Sequence, residues 1–230
     1  MTKDIVGKRF KSNNGGWFTV LRKTERNQGT NFLYEIQFDE TNGVKYKTLA
    51  NKQHIKNGSV KNGFYSSVHG IGYLGNAIRK GNELIYSRWQ GMLSRCYNLK
   101  SKKFKTYGAR GVSVCDRWLC FEHFLHDFPL LDGYDENNIE NLELDKDIKI
   151  SNNKIYSPKT CILVSQAENT AERTERNNKK FIATSPDGKV YKSNNQTKFA
   201  EKHNLNFNGI YGCLRHKQKT HKGWKFEYID

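Results

Sequence analysis

The apolar positions change their period along the chain, and the change divides it. In residues 1–75 they alternate. Trp17-Phe18-Thr19-Val20-Leu21 is a run of strand-favouring residues behind Gly15-Gly16. Phe32 to Phe38 places Tyr34, Ile36 and Phe38 on one face, and Thr41-Asn42-Gly43 signals a tight turn into the partner strand Val44 to Leu49. Several short strands with turns between them predict a small barrel, SH3-like. In residues 76–170 the period becomes helical. Trp89, Met92, Leu93 and Cys96 predict a buried stripe flanked by Arg88 and Arg95, and Phe121, Phe124, Leu125 and Phe128 predict a second helix that Pro129 helps to end. Between them Tyr107 to Gly111 reads as a turn and Val112 to Val114 as a short strand.

Residues 171–230 begin with a linker, Ala171 to Lys180, that has no apolar stripe and is read either as a plain connection or as a continuation of the preceding helix that then frays. A hairpin follows over Phe181 to Thr184 and Val190-Tyr191, turning at Asp187-Gly188. Two short helices, near Thr197 to His203 and Phe207 to His216, precede an alternating strand, Gly223 to Tyr228. Two short helices with a brief connection predict a small α/β, helix-turn-helix-like module. The whole is read as α+β in three parts, 1–75, 76–170 and 171–230.

Charge narrows the function classes. Lys and Arg number 39 against 23 Asp and Glu, a formal net charge of +16 and a pI near 9.6. Such an excess attracts a polyanion by counterion release, so DNA is the expected partner. An aromatic share of 13% excludes a disordered basic tail. No stretch of about 18 apolar residues is present, so no membrane span is expected, and Met1 to Phe10 lacks the apolar region of a secretory leader. The five cysteines, Cys96, Cys115, Cys120, Cys161 and Cys213, have no CxxC spacing and fit a reducing cytoplasm. The basic N-terminal strands suit either a DNA-backbone clamp or a solvated spacer.

One segment carries chemistry. Leu142-Glu143-Leu144-Asp145 alternates as a strand and runs into Lys146-Asp147; an Asn-containing loop and an apolar strand, Thr160 to Val164, follow. Ser165 with Glu168 three residues on is a capping box that opens a helix. Asp145 at the strand end and Asn169 in the first helical turn could hold one hard cation, Mg²⁺ or Mn²⁺, at a phosphodiester. Asp145 and Asp147 as surface charges, with Asn169 as a helix-surface amide, is the alternative that spacing leaves open.

Asp145-Lys146-Asp147-Ile148 with Tyr156-Ser157-Pro158, Cys161 and Asn169 resembles the HNH (ββα-metal) endonucleases of tailed phages, as do Trp89-x-x-Met92-x-x-Arg95-Cys96-Tyr97 and Val114-Cys115-Asp116-Arg117-Trp118 upstream. Pro186-Asp187-Gly188 and His221 to Phe226 resemble the modular DNA-binding repeats appended to homing endonucleases. The resemblance implies a central HNH nuclease core in a bacterial host cell, cutting one or both DNA strands, with Asp145 and Asn169 as metal ligands. Lys146 stands where most HNH enzymes carry the His that activates water. A phosphate contact for Lys146 is then the expectation, with the base role falling to Asp147 or to a His folded in from elsewhere; His123 and His126 are the nearest on the N-terminal side and read first as helix residues, at the surface or partly buried. Arg95, Arg110 and Arg117 in the core are expected to bind DNA. So are Asn208 and Tyr211 as base readers, and Arg215, Lys217 and Lys219 as phosphate contacts.

The cysteine spacings are not those of a zinc ribbon, so core thiols are preferred to a structural Zn²⁺. Gly209-Ile210-Tyr211 has no Tyr-Ile-Gly partner, and Ile210 is read as core. A nuclease, a DNA-binding protein with an inactive nuclease site, and an RNA-binding protein all accommodate the composition. Oligomeric state is left open.

Overall fold

The computed structural model describes residues 4–29 and 31–229; the side chains of residues 28, 172, 173 and 175–177 lie outside the described set. The expectation of a leaderless N-terminus therefore falls in part on Met1–Lys3, outside the described residues. The chain forms two compact units, Met1–Val164 and Ser165–Asp230. Among the described residues no helix is long and apolar enough to cross a membrane.

The first unit opens with β1 (Arg9–Lys11), β2 (Trp17–Gln28), β3 (Asn31–Phe38) and β4 (Lys47–Asn51), an antiparallel sheet in that order. The alternation in β3 buries Tyr34, Ile36 and Phe38, as its period of two requires. The β2–β3 register shifts between Val20 and Arg22 and again between Lys23 and Asn27, irregularities that bend a strand longer than its partner. Asn42 and Gly43, both at positive φ, make the turn after β3. Among the described residues the sheet is open, not the closed barrel the turn spacing predicts: β1 is only three residues long, and it does not pair with β4. Helix α1 (Lys52–Lys56) instead sets Ile55 into the core beside Phe18, Val20, Ile36 and Phe38.

A second core follows in the same unit. Helix α2 (Glu83–Tyr97) buries Trp89, Met92, Leu93 and Cys96 at the expected helical spacing. After β5 (Ser113–Val114) come α3 (Asp116–Leu119) and α4 (Phe121–Asp127); Trp118, Phe121, Phe124 and Phe128 are fully buried. At about 1.5–3 kcal/mol for each large apolar side chain removed from water, this cluster is a main source of the unit's stability. The Trp89 indole donates to the Trp118 carbonyl at 2.7 Å, so the buried N–H is satisfied. A bridging segment leads here from the sheet: Phe64 lies 5.5 Å from Tyr46 and 6.3 Å from Tyr73, centroid to centroid.

Strands β6 (Leu142–Asp145) and β8 (Ile162–Ser165) pair. The connection between them is not a plain loop, because β7 (Ile155–Tyr156) leaves to pair in parallel with β5. Helix α5 (Gln166–Asn177) then runs through most of the expected linker.

In the second unit β9 (Phe181–Thr184), β10 (Val190–Ser193) and β11 (Lys225–Tyr228) form an antiparallel sheet ordered β10-β9-β11. Between β10 and β11 lie α6 (Gln196–Lys202) and α7 (Phe207–Leu214), capped by Asn195 and Asn206. The helices share a core with the sheet through Phe181, Phe199, Ile210, Leu214 and Phe226, so the helix pair does not stand alone as a bare helix-turn-helix.

Candidate functional site

The turn after β6 is built by its own polar side chains. Asp145 ends the strand because its Oδ1 accepts from the Asp147 and Ile148 N–H groups at 2.7 and 2.8 Å, an Asx-type turn that replaces the ladder. Lys146 points the other way and is only 6% exposed. Its Nζ donates to Asp147 Oδ1 at 2.6 Å and to the Asn153 carbonyl at 2.7 Å. Asn153 returns the contact: its Nδ2 donates to the carbonyls of Lys146 and Ile155, and its Oδ1 accepts from the Ile155 N–H. The loop is thus clasped at both ends, which places Tyr156 to pair beside β5.

Lys146 Nζ lies 6.0 Å from the Tyr107 ring centroid. Arg95 stands between Tyr107 and Tyr156, 5.6 and 5.5 Å from their centroids. Burial pushes the Tyr156 phenol above its ordinary range against the opposing pull of Arg95. Burial also pushes the Cys96 and Cys161 thiols up to about 11, which keeps both neutral at pH 7. All five cysteines are free thiols.

The strand is held from behind by Arg88. Its guanidinium donates to the carbonyls of Leu142, Ile139 and Glu140, groups left over where the preceding 3₁₀ turns end. Downstream the predicted capping box is formed in full. Ser165 N and Oγ donate to Glu168 Oε2 at 2.9 and 2.8 Å, and Glu168 N donates to Ser165 Oγ at 3.2 Å. These bonds hold the Glu168 carboxyl below its ordinary value. Asn169 follows in the first turn of α5, half-buried, in the second unit.

Asp145, Lys146 and Asp147 therefore meet in one turn, and Tyr107 links that turn to Arg95. Arg117 is engaged elsewhere: Nε and Nη2 grip Asp127 at 2.7 and 2.8 Å, and the Trp118 indole donates to the same carboxylate at 2.9 Å. The Arg117 guanidinium holds the Asp127 carboxyl well below the usual carboxylate range. His126 is hydrogen-bonded to Asp127 at 3.1 Å and His123 is exposed. Arg110 is exposed, and its carbonyl accepts from Lys154 Nζ. Asn208, Tyr211, Arg215, Lys217 and Lys219 are exposed in the second unit. Arg88, Asn153, Tyr107 and Asp127 escape sequence reasoning, since their partners are backbone groups or residues that no local pattern identifies.

For a hard cation the first-unit donor is a single carboxylate. No hydrogen bond or ion pair reaches Asp145 Oδ2 among the described residues, while Oδ1 is fixed by two N–H groups. No group of three or more His, Cys, Asp or Glu is positioned to hold a metal among the described residues.

No family model matches the chain, and no curated protein matches it. Among solved structures, one described as "DNA binding and cleavage by the HNH homing endonuclease I-HmuI" is similar over 46% of this chain at 22% identity, with a TM-score of 0.24. The match spans 66% of that chain's length.

Proposed function

We propose that the chain is a metal-dependent DNA endonuclease of the HNH type. The reading rests on the turn after β6, where a strand-terminal carboxylate is fixed by two N–H groups, locked by the buried Lys146 and Asn153, and followed by a capping-boxed helix carrying Asn169. The net charge of +16 supports DNA as the substrate. In this reading Asp145 and Asn169 hold Mg²⁺ or Mn²⁺; the bound ion would stabilise charge on the scissile phosphate and its leaving oxygen. Asp147 accepts the proton of the attacking water, its carboxylate oriented by Lys146 Nζ. Lys146 is then a positioning residue, and Arg95 with Arg110 approaches the phosphates. The second unit supplies further DNA contacts.

One observation favours a second reading, a DNA-binding protein whose nuclease site is inactive. Lys146 is buried and doubly hydrogen-bonded, so the residue directly after Asp145 offers no solvent-facing base. Nicking of supercoiled plasmid in Mg²⁺, Mn²⁺ or EDTA separates the two. The endonuclease reading expects relaxed circles with either ion and none in EDTA. The inactive reading expects a retained gel shift with no nicking, and a gain of nicking in Lys146→His.

A further inference from the structure

Helix α7 turns Ile210, Cys213 and Leu214 into the core of the second unit and leaves Phe207, Tyr211 and Arg215 on its outer ridge. At four-residue spacing these three lie one above the next. The Phe207 and Tyr211 rings stack with centroids 6.1 Å apart and planes 20° from parallel. The Arg215 guanidinium lies 5.6 Å from the Tyr211 centroid. Phe207 is 44% exposed and Tyr211 39%.

The loop after α7 is fastened against the same helix. A Cβ at Gly209 would lie 2.3 Å from His221 Nδ1, so only glycine lets that ring approach. His221 Nε2 accepts from the Asn206 N–H at 3.2 Å, and Gln218 Nε2 donates to the Gly209 carbonyl at 2.9 Å. Lys217 and Lys219 are thereby held close to α7, and no acidic residue occurs between Lys202 and Glu227.

We propose that this ridge is a stacking platform for unpaired DNA bases. In a duplex the base faces are covered by their neighbours and only edges are open to a protein. The ridge offers two half-exposed aromatic rings and a guanidinium, groups that match the face of a splayed base, with a loop whose charged residues are all basic beside them for the phosphates. The inference rests on the DNA-binding reading above and deepens it: the second unit engages single-stranded DNA, such as a strand opened near a cut.

The test uses the full chain, a labelled 12-nucleotide strand carrying 2-aminopurine, and the matching duplex at the same salt. Bound single strand is expected to show quenched 2-aminopurine. Phe207→Ala, Tyr211→Ala and Tyr211→Leu are expected to remove the quench and weaken single-strand binding about fivefold to more than a hundredfold per stacked base, with a much smaller change on the duplex. Tyr211→Leu keeps apolar bulk while removing the ring and its hydroxyl. Equal losses on both DNA forms, or none, would overturn the platform while leaving DNA binding standing. A dimer that Tyr211→Leu dissociates would assign the ridge to a second copy and overturn it too. Failure of the wild type to bind either form would overturn the DNA-binding reading itself.

Discussion

The turn after β6 and the ridge of α7 solve opposite problems. In the turn, Lys146 and Asn153 hold each other's backbone carbonyls, and Asp145 Oδ1 is fixed by two N–H groups. On the ridge, Phe207 and Tyr211 are half-exposed, their rings stacked on each other with Arg215 beside Tyr211. Polar groups taken from water must be satisfied and so become rigid, which suits a site where atoms have to stay in place. Exposed rings keep their freedom and suit a flexible polymer. Substitutions in the turn should therefore act through stability and rate, and those on the ridge through binding alone.

The largest expected stability effect is Lys146→Ala. It removes the buried cationic donor of the Asn153 carbonyl and of Asp147 Oδ1, at a cost of about 3 kcal/mol. Urea denaturation measures it, and a loss under 1 kcal/mol would mean that the clasp carries little. Asn153→Ala removes three hydrogen bonds, and a loss of about 2–3 kcal/mol is expected at roughly 1 kcal/mol each.

Asp127→Asn comes next, at about 1–3 kcal/mol near neutral pH, since its bonds to Arg117 and Trp118 engage a charged acceptor. Its carboxyl is held low in the folded state. The stability it contributes is therefore complete above the unfolded-state pKa of about 3.9 and is lost as pH falls below it. The difference between wild type and Asp127→Asn should shrink as pH falls below about 3.9. The smallest effect belongs to the second unit's basic loop. Lys217→Ala should leave stability within about 0.5 kcal/mol and lower the slope of log affinity against log salt by about 0.9.

The two regions were unequally legible in the sequence. Strong periods read well: the α2 stripe from Trp89 to Cys96 and the alternation of β3 bury the side chains they predict, and the Phe121 to Phe128 stripe does so except at Leu125, which is only partly buried. The capping box read well because both partners sit three residues apart in the chain. The open sheet was missed, since turn spacing says nothing about whether outer strands are long enough to close. So was β7: two residues have no period, and their partner β5 is distant in sequence. The candidate site showed its carboxylates but not its clasp. Lys146 reads from the sequence as a phosphate contact rather than a buried clasp, and neither Arg88 nor Asn153 announces a role that consists of donating to backbone carbonyls. On the ridge, Tyr211 was legible as an exposed position of a short helix. Its stacking on Phe207 was not.

The central claim is tested most directly by measuring cleavage and binding together for wild type and Asp145→Ala, in Mg²⁺ and at one salt concentration. Loss of a metal ligand should remove several kcal/mol of transition-state stabilisation, and each ~1.36 kcal/mol is a tenfold change in rate. The account predicts that nicking falls by several decades while DNA affinity stays within about twofold, because the change touches one carboxylate among many phosphate contacts. Unchanged nicking in Asp145→Ala, or a wild type that binds DNA and never nicks it with any divalent ion, would contradict it.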